Sequence, residues 1–314
     1  MPEYMLRRIM MLAPVLLITS FISYALICLC PGDPARLVLE AQLQGTPSQA
    51  QVNDFRADHG LNQPLMVQYV TWLKKAALGD LGKSLKSGDD VWDDYRARFV
   101  VSAKLFLAGE LIAVLIALPL GIWSAVKANS IIDNILRVIA LGGVSLPGFL
   151  FGMLLIYVCA VRLHLLPAIG YGKPANIVLP ALTLGITGSM SLMRLTRTSL
   201  LEVLKLNYVR TARAKGLRER PVITRHVLRN ALVPVITAIG MHFGHIVGGM
   251  AIIETLFAWP GLGMLLVDAA STRDIPVIQS FVLLGSAFFV GINLLIDLIY
   301  TLLDPRISYR AKEG

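Results

Sequence analysis

The chain has 314 residues, 55% of them apolar and only 16% charged, against roughly 25% charged in soluble domains. The apolar residues gather in runs near the ~20 residues that cross a bilayer core, with charge crowded between them, which argues against a soluble fold. The net charge of +9 falls largely in one interhelical stretch beside apolar runs, a membrane-topology signal rather than a nucleic-acid surface.

The first run, from about Ile9 to Leu29, follows Arg7 and Arg8 and is long enough to span. No small-residue pair of the A-x-A kind follows it, and Ile27 and Leu29 are bulky before Cys28 and Cys30. Residues 1–30 are therefore expected to form a retained first transmembrane helix. The three cysteines, with Cys159, are too few for a disulfide framework and suit apolar packing.

Residues 31–104 carry nine basic and nine acidic side chains, so the segment is neutral. Amphipathic pieces such as Pro64–Leu78, with Tyr69 and Trp72, predict a small folded extracytoplasmic cap. Residues 105–314 predict a five-helix core. Its runs are about Leu105–Val126, Val138–Leu163, Ile177–Met193, Val235–Ile253 and Ile278–Tyr300. Gly142-Gly143 and Ser145-Leu146-Pro147-Gly148 predict a break in the second of these. The expected fold is all-α and polytopic, with about six transmembrane helices.

Orientation follows from lysine and arginine. With the N-terminus inside, the inner segments hold Arg7, Arg8, Lys127, Arg137, ten residues between Arg194 and Arg229, and Arg306, Arg310 and Lys312. Short outer loops hold only Arg162, Lys173 and Arg273; the other outer cations lie in the long neutral segment. Both termini are expected inside.

The inner segment 194–233 carries the most information. Leu200, Leu201, Leu204 and Tyr208 recur at helical spacing, followed by the stretch Tyr208-Val209-Arg210-Thr211-Ala212-Arg213-Ala214-Lys215-Gly216-Leu217. Ala212 and Gly216, four apart, would share a helix face, and Gly216 suits a helix stop. A short helix with small residues and a cationic fringe fits the groove of a soluble partner, or equally anionic lipid headgroups.

The fifth helix carries Gly240, Gly244 and Gly248, a small-residue face for close helix packing. It also carries Met241, His242 and His245, candidate substrate-pathway residues; His242 and His245, three apart, are candidate ligands for a metal such as nickel, or plain packing histidines. Glu110 and Asp297 read as lying near the membrane interfaces, and Trp259-Pro260-Gly261 as a turn anchored by Trp259. Gly82-Lys83-Ser84 is not a phosphate loop, because Ala77 stands where that motif needs glycine. The sequence has no H-E-x-x-H and no G-x-S-x-G, so no catalytic residue is assigned and no enzyme is expected.

The segment around Gly216 resembles the cytoplasmic coupling loop of ABC importer permeases, in their peptide/nickel branch. Arg210-Thr211-Ala212 stands where that loop has Glu-Ala-Ala, Gly216 matches its glycine, and Leu232-Val233-Pro234 closes the pattern late. The glutamate is missing, and its role is not carried over. The resemblance continues through Gly32-Asp33-Pro34, Gly60-Leu61-Asn62-Gln63-Pro64-Leu65, Gln68-Tyr69, Trp72-Leu73 and Gly79-Asp80-Leu81-Gly82. It resumes at Leu166-Pro167, Leu179-Pro180, Arg229-Asn230-Ala231-Leu232, the run Glu254–Gly263 and Asp304-Pro305-Arg306.

The resemblance implies the type I importer permease fold in the bacterial inner membrane, with this chain forming half of the translocation pathway. It implies as partners a homologous second permease, two cytoplasmic ABC ATPases that use ATP, an extracytoplasmic substrate-binding protein and the lipid bilayer, and no nucleic acid. No cofactor is expected on this chain. Tyr208, Arg210, Ala212, Ala214, Gly216 and Leu217 would couple it to the ATPases. The stretches Gly240-Met241-His242, Gly248-Gly249, Phe257-Ala258-Trp259-Pro260, Leu166-Pro167-Ala168 and Gly170-Tyr171-Gly172 look most like nickel permeases. Nickel or a metal chelate is the first expectation, and dipeptides or oligopeptides the second. A secondary transporter working without ATPases is the rival from another class.

Overall fold

The computed structural model describes residues 2–29, 31–246 and 250–303, with side chains for 14–29, 31–244, 246 and 250–296. Cys30, Gly248, Gly249, Asp304-Pro305-Arg306, Arg310 and Lys312 lie outside the described residues, as do the side chains of Arg7, Arg8, His245 and Asp297.

A lipid core offers the backbone no partner, so apolar runs close their own hydrogen bonds as helices. In chain order these are α1 (Pro2–Leu29), α2 (Pro34–Leu43), α3 (Gln49–Asp58), α4 (Leu65–Ala77), α5 (Val91–Val126) and α6 (Ile131–Ser145). Then come α7 (Gly148–Leu155), continuing as π-helix over Ile156–Arg162, and α8 (Val178–Leu204), entered through a 3₁₀ turn at Pro174–Ile177. α9 (Asn207–Ala214) follows. α10 (Glu219–Pro221) runs through π turns at Val222–Val227 into α11 (Leu228–His242). After a 3₁₀ turn at Phe243–Ile246 come α12 (Ala251–Leu256), α13 (Leu262–Thr272) and α14 (Ile275–Leu303). Among the described residues, β pairing is confined to one bridge between Lys83 and Asp90.

Among the described residues, four stretches are long and apolar enough to cross a membrane: Val91–Val126, Pro174–Leu204, Glu219–His242 and Ile275–Ile296. Two bent pairs raise the number to six if each is one span: Pro14–Leu29 with Pro34–Leu43, bent by 74°, and Ile131–Ser145 with Gly148–Arg162, bent by 100°. The second bend falls at Leu146-Pro147, where proline lacks an N–H and holds the preceding residue out of the helical region; Leu146 has ψ 126°.

Helix ends differ from the apolar runs. α5 starts at Val91 rather than Leu105 because Asp90 caps it, its carboxylate accepting from the Trp92 amide at 2.8 Å. α8 runs to Leu204, so Arg194 and Arg197 belong to a helix and not to a loop. The glycine stripe of the fifth span is interrupted: α11 ends at His242 and Gly244 lies in the 3₁₀ turn, so Gly240 and Gly244 share no continuous α-helical face.

The chain divides into two compact units. One comprises 1–102, 247–251 and 260–314. In it α1 packs on α14 and α4. Tyr24, Tyr69 and Ile275 form one buried cluster, and Leu81, Val91, Ala269, Val277 and Ile278 another. The buried Asp274 carboxylate ties the segment after α4 to the start of α14. It accepts from Ser84 Oγ at 2.5 Å and from the Leu85 and Lys86 amides at 3.1 and 3.2 Å.

The other unit comprises 103–246 and 252–259, with α8 packed against α6, α7 and α11. The close approach of α5 to α8 rests on glycine. A Cβ on Gly185 would lie 2.5 Å from Ile112 Cβ, and one on Gly121 2.7 Å from Thr196 Cβ. Small residues thus carry tight packing between apolar helices, on α5 and α8.

Candidate coupling surface and pathway

α9 begins after the extended Leu206 and ends in a left-handed Gly216, φ +78°, whose N–H donates to Arg213 O at 2.9 Å. This closes the helix C-terminus with the one residue that adopts that conformation freely. Val209 and Ala212 lie three apart and are buried with Ala125, Leu200, Val222, Val227 and Ala231. The expectation that Ala212 and Gly216 present a shared small face is therefore corrected. Ala212 faces the core, and Gly216 lies beyond the helix end. The outward surface is built from Tyr208, Arg210, Ala214, Lys215 and Leu217, all exposed.

Two contacts set this surface. The Tyr208 hydroxyl donates to His226 O at 3.2 Å and accepts from Asn230 Nδ2 at 2.7 Å, joining α9 to α11. Arg213 pairs with Glu219 at 2.5 Å, and that hydrogen bond raises the guanidinium above its already high pKa. Ser199 Oγ of α8 donates to Ala231 O at 2.7 Å, three residues before Pro234, where proline disturbs the helical ladder. α9, α8 and α11 are thereby joined by apolar and hydrogen-bonded contacts.

Nearby lies a clamp that sequence reading missed. Asp133 at the start of α6 is fully buried and accepts four hydrogen bonds. Ser124 Oγ donates at 2.5 Å, the Asn129 amide at 2.8 Å, and Arg197 of α8 twice, at 2.7 and 2.8 Å. The bidentate guanidinium–carboxylate geometry adds directional specificity to charge-assisted hydrogen bonds that are roughly twice as strong as neutral ones. Beside it opens a cavity of about 570 Å³ lined by Arg137, Arg194 and Arg197 together with apolar residues such as Leu141 and Met193.

At the end of α11, His242 Nδ1 lies 3.2 and 3.3 Å from the two oxygens of Glu110 on α5. Glu110 partners a histidine 132 residues away, and such pairing is what polar groups inside membrane segments require. Phe106 and Phe243 pack edge to face beside it, centroids 5.0 Å apart. Met241 is 53% exposed. The His245 side chain lies outside the described residues, so its pairing with His242 is not described. Among the described residues, no group of three or more His, Cys, Asp or Glu side chains is placed to hold a metal.

The chain matches the family model of the binding-protein-dependent transport system inner membrane component over residues 117–309, and that of its N-terminal part over residues 1–105. It is 41% identical over 311 residues to the glutathione transport system permease protein GsiC of Escherichia coli O6:H1, covering 99% of this chain and all of that one. The GsiC proteins of Escherichia coli K12 and Salmonella choleraesuis are each 40% identical, with the same coverage. Among solved structures, the MetNI methionine ABC transporter in an inward-facing form gives a TM-score of 0.54 at 20% identity, covering 67% of this chain and 96% of that one. An amino acid ABC transporter with histidines gives 0.52 at 15% identity, covering 66% and 92%.

Proposed function

We propose a small-peptide cargo of the glutathione class for this chain, which belongs to the family of binding-protein-dependent transport system inner membrane components and is the permease subunit of an ABC importer. One observation carries the cargo: the likeness to glutathione permeases runs the full length of the chain, pathway helices included. Two features of the molecule agree with it. The cavity flanked by Arg137 and Arg194 offers positive charge to an anionic peptide. His242, the candidate nickel ligand, is engaged by Glu110, without a third ligand among the described residues. The peptide reading, second in the sequence, thus has better support than nickel.

In this reading both termini face the cytoplasm. The chain shares the pathway with a homologous permease, two ABC ATPases dock on the α9 surface, and an extracytoplasmic binding protein delivers the peptide. Tyr208, Arg210, Ala214 and Leu217 touch the ATPase. Ala212 anchors the α9 helix and Gly216 ends it. Met241 and the His242–Glu110 pair line the pathway. ATP is hydrolysed by the partners, and this chain holds no cofactor.

The test is uptake of radiolabelled glutathione and of radiolabelled nickel by cells with and without the chain. Loss of glutathione uptake with nickel uptake unchanged is the expected result. Loss of nickel uptake alone would return the cargo to a metal.

A further inference from the structure

Gly60, Leu61, Gln63, Gln68, Trp72 and Gly82 have no part in coupling or in the pathway described above. The fold brings them to one place. They line a cavity of about 380 Å³ within the first unit, together with the end of α1 and the start of α14. That size falls within the range of small-ligand pockets.

The walls are fixed by hydrogen bonds. The Tyr24 hydroxyl donates to Gln68 Oε1 at 3.0 Å, Gln68 Nε2 donates to Gln63 O at 2.7 Å, and Trp72 Nε1 donates to Leu81 O at 3.3 Å. Gln279, which also lines the cavity, is only 2% exposed, and its Nε2 has no hydrogen-bond partner. A buried amide donor left without a partner is costly, and a ligand acceptor would satisfy it. Exposed charges of both signs stand at the same cavity: Asp58, Lys75 and Lys83.

We propose that this cavity is a binding site for a small peptide zwitterion, separate from the α5–α11 pathway. Lys75 and Lys83 take carboxylates, Asp58 takes the α-ammonium, and the Gln279 amide donates to a peptide carbonyl. The ring of Trp72 and the side chains of Leu61 and Ile275 supply apolar wall. The assignment rests on the small-peptide reading above. A zwitterionic phospholipid headgroup shares part of this chemistry, and the test separates the two.

The complete transporter, with partner permease and ATPases but no binding protein, is placed in phosphatidylglycerol nanodiscs and titrated with tritiated glutathione by equilibrium dialysis. Saturable binding is expected, weakened at least tenfold by Gln279→Leu and by the Lys75→Ala/Lys83→Ala pair. Gln279→Leu removes the unpaired amide and so does not threaten folding. No saturable binding, or binding untouched by both changes, overturns the site. Binding abolished when phosphatidylethanolamine replaces phosphatidylglycerol gives the cavity to a lipid headgroup and also overturns it. Cellular glutathione uptake reads the cargo independently. Uptake without nanodisc binding sinks the site alone, whereas variant-sensitive binding without uptake sinks the cargo and keeps the site.

Discussion

Two guanidinium–carboxylate pairs stand near the proposed coupling surface, and they are built in opposite ways. Asp133 and Arg197 have side-chain exposures of 0% and 19%, and the carboxylate has further donors from Ser124 and the Asn129 amide. Arg213 and Glu219 are 42% and 54% exposed. The first pair joins α6 to α8 across 64 residues of chain; the second closes a turn of six residues after α9. Chemistry alone does not set the worth of such a pair. The buried one holds a helix pair in register, because its carboxylate has no water to fall back on. The exposed one leaves its charges available, which is what a surface that must engage and release a partner requires.

The largest effect should come from breaking the buried pair on one side. Asp133→Asn leaves the Arg197 guanidinium against a neutral amide and should cost about 3–5 kcal/mol, read as a drop in the fraction of folded protein in detergent unfolding. Replacing both, as Asp133→Leu with Arg197→Met, should recover at least half of that loss, since no uncompensated charge then remains. If the single and double changes cost the same, the pair is not what joins α6 to α8.

Neither long-range pair was legible in the chain. Asp133 and Arg197, and likewise Glu110 and His242, meet only after helices pack, and single-sequence periodicity says nothing about separations of 64 and 132 residues. Local chemistry was legible. The break at Ser145–Gly148 follows from proline's missing donor, and Gly216 as a helix stop follows from its freedom at positive φ. Helix existence was readable from apolar runs, but helix ends were not. Hydropathy marks bilayer depth, whereas the hydrogen-bonded ladder of α5 runs on through Trp92, Asp93 and Asp94. Spacing put Ala212 on a definite face of α9 without saying whether that face would be covered. Leu200, Val222 and Ala231 cover it, and those residues come from elements before and after it.

An intermediate effect is expected at Gly216, where local stability and coupling can be separated. A Cβ there meets nothing within 4 Å, so any penalty comes from φ +78° alone. Gly216→Val should cost about 1–2 kcal/mol and unwind the end of α9. Gly216→Asn, which tolerates the left-handed region, should cost only a fraction of that. If α9 is the ATPase-docking element, Val should sharply lower transport-stimulated ATPase activity in reconstituted transporter while Asn keeps most of it. Equal loss with both would mean that the glycine is needed for a close contact and not for its backbone.

The smallest effect is expected at the exposed pair, and it is the sharpest check on the comparison. A double-mutant cycle of Arg213→Ala and Glu219→Ala should give a coupling energy of about 0.2–1 kcal/mol at low salt. It should vanish near 1 M salt, where the screening length falls to about 3 Å. The Asp133–Arg197 cycle, shielded from solvent, should keep most of its coupling at the same salt. Arg213→Ala should instead show itself in the assembled transporter, as weaker and less salt-sensitive association with the ATPases, because one exposed cation has left the docking surface. Salt-resistant coupling between Arg213 and Glu219 would show that this pair holds the turn after α9 as firmly as the clamp holds α6. The contrast between a fixed clamp and a free fringe would then fail, and the coupling surface would have to be sought among Tyr208, Arg210 and Leu217 without it.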